Sequence, residues 1–281
     1  MSYVSSQWQM PPVVKNLLII NALLCLAQYA LKAAYGIDIN SIFGLYYWAS
    51  DEFGIWQLLT FQFMHGGFEH LFFNMFAVFM FGRVLETVWG AKKFLLYYLV
   101  TGVGSGIIQQ VALYFDINPI FDAVDAYMAD PSTPALNAFF AKYPPFSAES
   151  FSAFNSFTSQ YNLICNENII EANAMARKFL FDYQTMFVDA HITVGASGAV
   201  FGLLLAFGML FPNQIIMLII PPIPIKAKYF VMIYGAIELF AGIGSFGYDN
   251  VAHWAHLGGM LFGFFLIRKW KRDDNMFGSN Y

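Results

Sequence analysis

Cysteine, charge and basic excess are all scarce in this sequence, and each scarcity removes a class of protein. Two cysteines occur among 281 residues, Cys25 inside an apolar run and Cys165 in a polar one, which excludes a disulfide framework and a thiolate zinc site. Charged residues make up only 11% of the chain and the formal net charge is −4, so nothing signals a nucleic-acid partner. The N-terminus lacks a basic n-region. Its first apolar stretch, Asn16 to about Gly36, is too long for a signal-peptide core and has no clear cleavage site after it, so it reads as a retained span. No internal repeat or low-complexity tract stands out.

Several hydrolase motifs are missing too. There is no His-Glu-x-x-His, and the inverse order His-x-x-Glu-His fails because Glu69-His70 is preceded by His65 and by no histidine at Gly66. An aspartyl pair needs two intramembrane acids; Tyr248-Asp249 supplies one, but Gly242-Ile243-Gly244 is followed by Ser245. The soluble-hydrolase elbow Gly-x-Ser-x-Gly fails because Ala199 stands where its second glycine belongs.

What is abundant is apolar surface. Hydrophobic residues make up 58% of the chain and the mean hydropathy is +0.54, which makes a bilayer its natural solvent. A span takes about 20 apolar residues. Six stretches qualify, at about 15–35, 69–88, 93–114, 195–212, 227–246 and 251–268. The expected fold is an all-α membrane protein, a bundle of six transmembrane helices forming one domain: the first three spans over 1–114, an extramembrane insertion over 115–190, the last three spans over 191–270, and a cytoplasmic tail over 271–281. The insertion is acidic in balance and dotted with Pro119, Pro131, Pro134, Pro144 and Pro145, so a long inserted loop is expected, with a surface helix over Asn168 to about Asp189. Six spans put both termini on one side. Lys15, Arg83, Lys92, Lys93, Lys226, Lys228, Arg268, Lys269, Lys271 and Arg272 fall on that side and only Lys32, Lys142, Arg177 and Lys178 opposite, so both termini are expected in the cytoplasm.

Hydrogen-bonding groups inside hydrocarbon are costly, so each is a functional candidate. His65, His70 and Asn74 stand at the start of the second stretch, Ser197 at the start of the fourth, and His253 and His256 at the start of the sixth. All three stretches begin outside. At about 1.5 Å per residue, Ser197 and His256 reach similar depths below the outer surface. A lone serine in a membrane helix ordinarily bonds a carbonyl one turn back or fills a tight interface. Here it sits in Gly195-Ala196-Ser197-Gly198, and Gly198 with Gly202, like Gly259 with Gly263 beyond His256, forms a small-residue face that admits a close neighbour. The pattern suits a nucleophile and a base on closely packed helices, against the plainer reading of helix packing alone. His70 and Asn74 are four apart and share a face, so both can aim donors at one acceptor, as an oxyanion hole requires; the alternative is a structural pair tying spans together. His65 and His253, nearer the interface, read as structural.

Together these residues resemble the rhomboid family of intramembrane serine proteases. The motifs are Trp56-Gln57 in the first outer loop, His65, His70 and Asn74, then Gly195-Ala196-Ser197-Gly198, and Ala255-His256-Leu257-Gly258-Gly259. The resemblance implies a six-helix core around a water-filled cavity open to the outer side. It implies a Ser–His dyad without a third acid: Ser197 as nucleophile, His256 as base and later acid, and His70, Asn74 and the Ser197 backbone N–H as oxyanion donors. It implies no cofactor and no metal, and as partners the lipid bilayer and transmembrane protein substrates whose helices unwind for cleavage. Phe201, one turn after the serine, stands where many relatives carry a tyrosine packed on the base. The 115–190 segment is longer than the matching loop of compact relatives and is expected to gate or recruit substrate. Two rivals remain: an inert relative that binds membrane clients, opposed by the intact Ser197 and His256, and a metal or proton transporter using His65, His70, His253 and His256, opposed by the lack of repeated broken spans.

Overall fold

The computed structural model describes residues 10–217, 222–244 and 251–276. Ser245 and the Tyr248-Asp249 pair, the end of the fifth apolar stretch and residues 277–281 of the tail lie outside them. In chain order the elements are α1 (Pro12–Tyr35), α2 (Ile39–Phe43), β1 (Leu45–Tyr46), α3 (Gln57–Thr60) with a 3-10 turn at Phe61–Phe63, α4 (Phe68–Ala77), a π turn at Val78–Gly82, α5 (Arg83–Trp89), α6 (Ala91–Ala129), α7 (Thr133–Lys142), α8 (Ala148–Ile164), α9 (Ile169–Asp189), β2 (Ile192–Thr193), α10 (Ser197–Leu210), β3 (Ile215–Met217), β4 (Pro224–Lys226), α11 (Ala227–Gly244) and α12 (His253–Met276). The chain falls into two compact units, one of residues 1–45, 54–110 and 193–281 and the other of 46–53 and 111–192.

In the first unit the long helices are inside out by soluble standards. Leu26 is 66% exposed, Phe73 67% and Phe240 75%, while Asn21, Asn74, Glu86 and Glu238 are buried. Apolar side chains left outward over whole helix faces call for lipid as their surroundings. Among the described residues four helices are long and apolar enough to cross a membrane: Pro12–Tyr35, the continuous Phe68–Trp89, Ala91–Ala129 and Ala227–Gly244. The expected count of six is thus met only in part. α10 is apolar but has 14 residues, about 21 Å, because it starts at Ser197 itself and ends at Leu210. α12 outruns its apolar stretch and continues through the Lys- and Arg-rich segment to Met276.

Glu86 shows how a buried charge in this unit is partnered. α1 begins on Pro11 and Pro12, which offer no side-chain cap, and the free N–H groups of Val13 and Val14 donate instead to the Glu86 carboxylate at 2.9 and 2.8 Å. Glu86, near the end of the second apolar stretch, is therefore a buried helix cap. After α10, β3 and β4 form a short antiparallel ladder, Ile216 opposite Ile225, that leads into α11.

The second unit corrects the expectation of an inserted loop. Its residues are mainly helical: the far part of α6, then α7, α8 and α9, the last of which coincides with the expected surface helix. Pro119 lies inside α6, where its missing N–H removes one bond of a ladder that otherwise continues. The remaining prolines are compatible with helices because they sit outside them or in a first turn, as Pro134 does in α7. Each start is capped: Ser132 accepts from the Ala135 N–H, Ser147 and Ser150 form a capping box, and Asn168 accepts from the Glu171 N–H. The aromatic content fills a separate core, in which Phe157 and Phe179 stack at 4.1 Å and Tyr183 donates to the carbonyls of Tyr143 and Pro144.

Candidate active site

Ser197 is the first residue of α10. Ala196 before it has no side-chain cap, and the first bond of this helix runs from the Val200 N–H to the Ala196 carbonyl. The N–H groups of Ser197, Gly198 and Ala199 therefore precede the helical ladder, at the end where the peptide dipoles favour negative charge. Gly195 makes the turn into the helix with φ +126°, a conformation that side chains other than glycine rarely adopt, and its N–H donates to the Phe61 carbonyl at 2.9 Å.

His256 comes one turn into α12. Its Nε2 lies 2.8 Å from Ser197 Oγ. The ring stacks on Phe201 with centroids 4.3 Å apart and planes 10° from parallel, so the phenyl group does pack on the histidine. A close approach of α10 and α12 makes this possible. A Cβ on Gly259 would collide with the Gly198 carbonyl, so only glycine fits there. The other two glycines serve a different neighbour than expected. Gly202 and Gly263 do not complete that interface; both face α6, where Thr101 and Tyr97 fill the space and the Tyr97 hydroxyl donates to the Gly202 carbonyl at 2.8 Å.

His70 and Asn74, one turn apart on α4, reach the same place. A Cβ on Gly195 would stand 2.7 Å from His70 Nε2 and 3.7 Å from Asn74 Nδ2, which locates both nitrogens beside the turn that carries Ser197. Asn74 is 5% exposed and its Nδ2 is a buried donor without an acceptor among the described residues. A buried amide donor left open is costly unless something else accepts from it. The Gly66 N–H points at His70 Nδ1 at 3.4 Å, a weak contact that leaves Nε2 as the proton-bearing nitrogen facing the site. His65 is buried with its ring edge-on to His70 at 5.2 Å.

One buried residue was not anticipated. Glu238, in the middle of α11, places Oε2 2.8 Å from His256 Nδ1 and 2.6 Å from His253 Nδ1. An acid thus stands where the resemblance implied none. Glu238, His253 and His256 also form a cluster whose ligand atoms lie within 4.8 Å of one another. The four histidines of the transporter reading do not form a single set: two pair on the α4 side and two meet Glu238. The signal that could have found Glu238 was available, since it is an acid inside an apolar stretch, and such groups are expected to be paired.

Comparison with known proteins gives the family. The rhomboid domain model matches residues 52–116 and 171–271, more than half of the chain. The chain belongs to the rhomboid family. It is 42% identical over 59 residues to the putative rhomboid protease YdcA of Bacillus subtilis, covering 21% of this chain and 28% of that protein. It is 35% identical over 78 residues to the rhomboid protease GluP of Bacillus subtilis, 28% of this chain and 14% of the other. With the rhomboid protease GlpG of Haemophilus influenzae it shares 25% identity over 117 residues, 41% of this chain and 61% of that protein. The matched stretches therefore span less than two thirds of these relatives. The family match omits α1 and residues 117–170, which hold most of the helical insertion.

Proposed function

We propose that this integral membrane protein is an intramembrane serine endopeptidase that cuts peptide bonds in or near the transmembrane helices of other proteins. The observation that carries the reading is the 2.8 Å approach of Ser197 Oγ to His256 Nε2 beside the buried open donor of Asn74. His256 takes the Oγ proton as Oγ attacks the carbonyl, then returns it to the departing amine; water repeats the cycle on the acyl-enzyme. The oxygen that becomes negative meets the Ser197 N–H at a helix N-terminus together with His70 Nε2–H and Asn74 Nδ2–H. A helical peptide bond is shielded by its own hydrogen bonds, so the substrate segment must unwind to reach the serine. On this reading the described and expected spans form a six-helix bundle with cytoplasmic termini, and the site opens to the outer side.

The test is cleavage of a single-span substrate in liposomes by the natural protein, Ser197→Ala and His256→Ala. Cutting by the natural protein alone supports the proposal. Equal behaviour of all three, with the substrate still bound, hands the fold to the client-binding alternative.

A further inference from the structure

Glu238 asks for an account of its own. Carboxylates in an apolar helix are rare, and a buried one without a partner destabilises strongly. Its partners here are two histidines three residues apart at the start of α12, hence on one face of that helix. Both present Nδ1 to the same oxygen, Oε2.

We infer that Glu238 is a positioning residue for His256, making the reacting group a Ser197–His256–Glu238 triad; the inference rests on the serine-hydrolase reading above. An ionised carboxylate accepts hydrogen bonds and donates none, so it selects the tautomer of each histidine that carries its proton on Nδ1. For His256 that choice leaves the lone pair on Nε2, the nitrogen that faces Ser197 Oγ. The other tautomer would set a lone pair against the carboxylate and an N–H against the serine, and a base in that form is idle. His253 donates to the same oxygen and so holds the carboxylate in place. Phe201 stacks on the ring, so that three contacts fix its position, plane and tautomer. When the Oγ proton moves to Nε2, the resulting imidazolium lies against an anion already in place. A purely structural tie between α11 and α12 needs neither the selected nitrogen nor the shared oxygen.

The experiment measures how fast a fluorophosphonate probe labels Ser197 in the purified full chain, which requires no knowledge of the natural substrate. In that reaction Ser197 Oγ bonds to phosphorus, fluoride leaves, and the Oγ proton passes to His256 Nε2. Rate constants per folded molecule are compared for the natural protein, Glu238→Gln, Glu238→Asp, His256→Ala and the double variant His256→Ala with Glu238→Gln. The glutamine keeps the shape but can turn an amide donor toward the rings, so labelling is expected to slow by at least about tenfold, with aspartate recovering part of the loss. In the His256→Ala background the glutamine is expected to change nothing further, because Glu238 acts through that ring. Natural-rate labelling of Glu238→Gln, or an additional loss in the double variant, overturns the triad. So does loss of labelling when the natural protein is treated with a chelator, which would assign the three groups to a bound cation. Should Glu238→Gln fail to fold, Glu238→Asp decides: a rate equal to the natural one overturns the inference. Labelling with this pattern but without cleavage of any test helix sinks the endopeptidase reading and leaves the triad standing; a natural protein that is never labelled removes both.

Discussion

At the scale of single residues the site is defined by what its glycines and open donors permit. Gly195 combines φ +126° with a Cβ position 2.7 Å from His70 Nε2. Gly195→Ala is therefore expected to cost about 1–3 kcal/mol of stability through backbone strain and to displace His70. A lowered thermal midpoint together with slowed serine labelling checks it; a variant as stable and reactive as the natural protein contradicts it. Asn74 makes a different prediction. Truncation to alanine removes a donor with no acceptor among the described residues, so the fold should lose little, while kcat should fall by roughly 100- to 1000-fold with KM little changed. A shift in KM alone would mean that Asn74 binds substrate without favouring the transition state. Phe201→Tyr keeps the stacked ring and should leave cleavage within about twofold, whereas Phe201→Ala should slow it by loosening His256.

At the scale of elements, what could be read from the sequence depended on which signal each element carries. The starts of α4, α10 and α12 were legible because polar residues interrupt apolar runs there, and the structure brings Ser197 and His256 within 2.8 Å. Glu238 was missed because a lone acid has no periodic partner: His253 and His256 lie 15 and 18 residues further on, across a connection whose geometry no local pattern specifies. α7 and α8 of the insertion were missed because prolines were weighed more heavily than the Ser132 and Ser147 caps that begin them, whereas α9 was expected from the helical spacing of its apolar residues. Glu86 was passed over since its partners are backbone N–H groups 72 and 73 residues away. Glu86→Ala should destabilise the docking of α1 by about 1–3 kcal/mol while serine labelling per folded molecule stays unchanged. Denaturation in mild detergent reads the first quantity and the probe the second; an equal loss of both would mean that α1 shapes the site. Within the second unit, burial holds the His191 imidazole below its usual pKa, against the opposing pull of the Phe187 carbonyl and Asp116. The unfolded chain thus binds a proton at about pH 6.5 that the folded unit resists, so this contribution is present above that pH and is lost as pH falls below it. The thermal midpoint should drop on acidification, and His191→Gln should flatten the drop; an unchanged slope would assign the effect to other groups.

At the scale of the whole molecule, membership of the rhomboid family and several apolar helices with outward-facing Leu and Phe identify an integral membrane protein. The proposed activity then makes the bilayer part of the reaction, since the scissile bond has to leave a helix before Ser197 can reach it. Residues 117–170 fall between the two stretches matched by the family. Removing 120–185 should alter cleavage rate or substrate choice if that segment gates or recruits, and leave both unchanged if it does not. The central claim is settled most directly by the masses of the products formed from a single-span substrate in liposomes. The account predicts one cut within or beside the span toward its outer end, absent with Ser197→Ala. An uncut substrate, or the same fragments from Ser197→Ala, would contradict it.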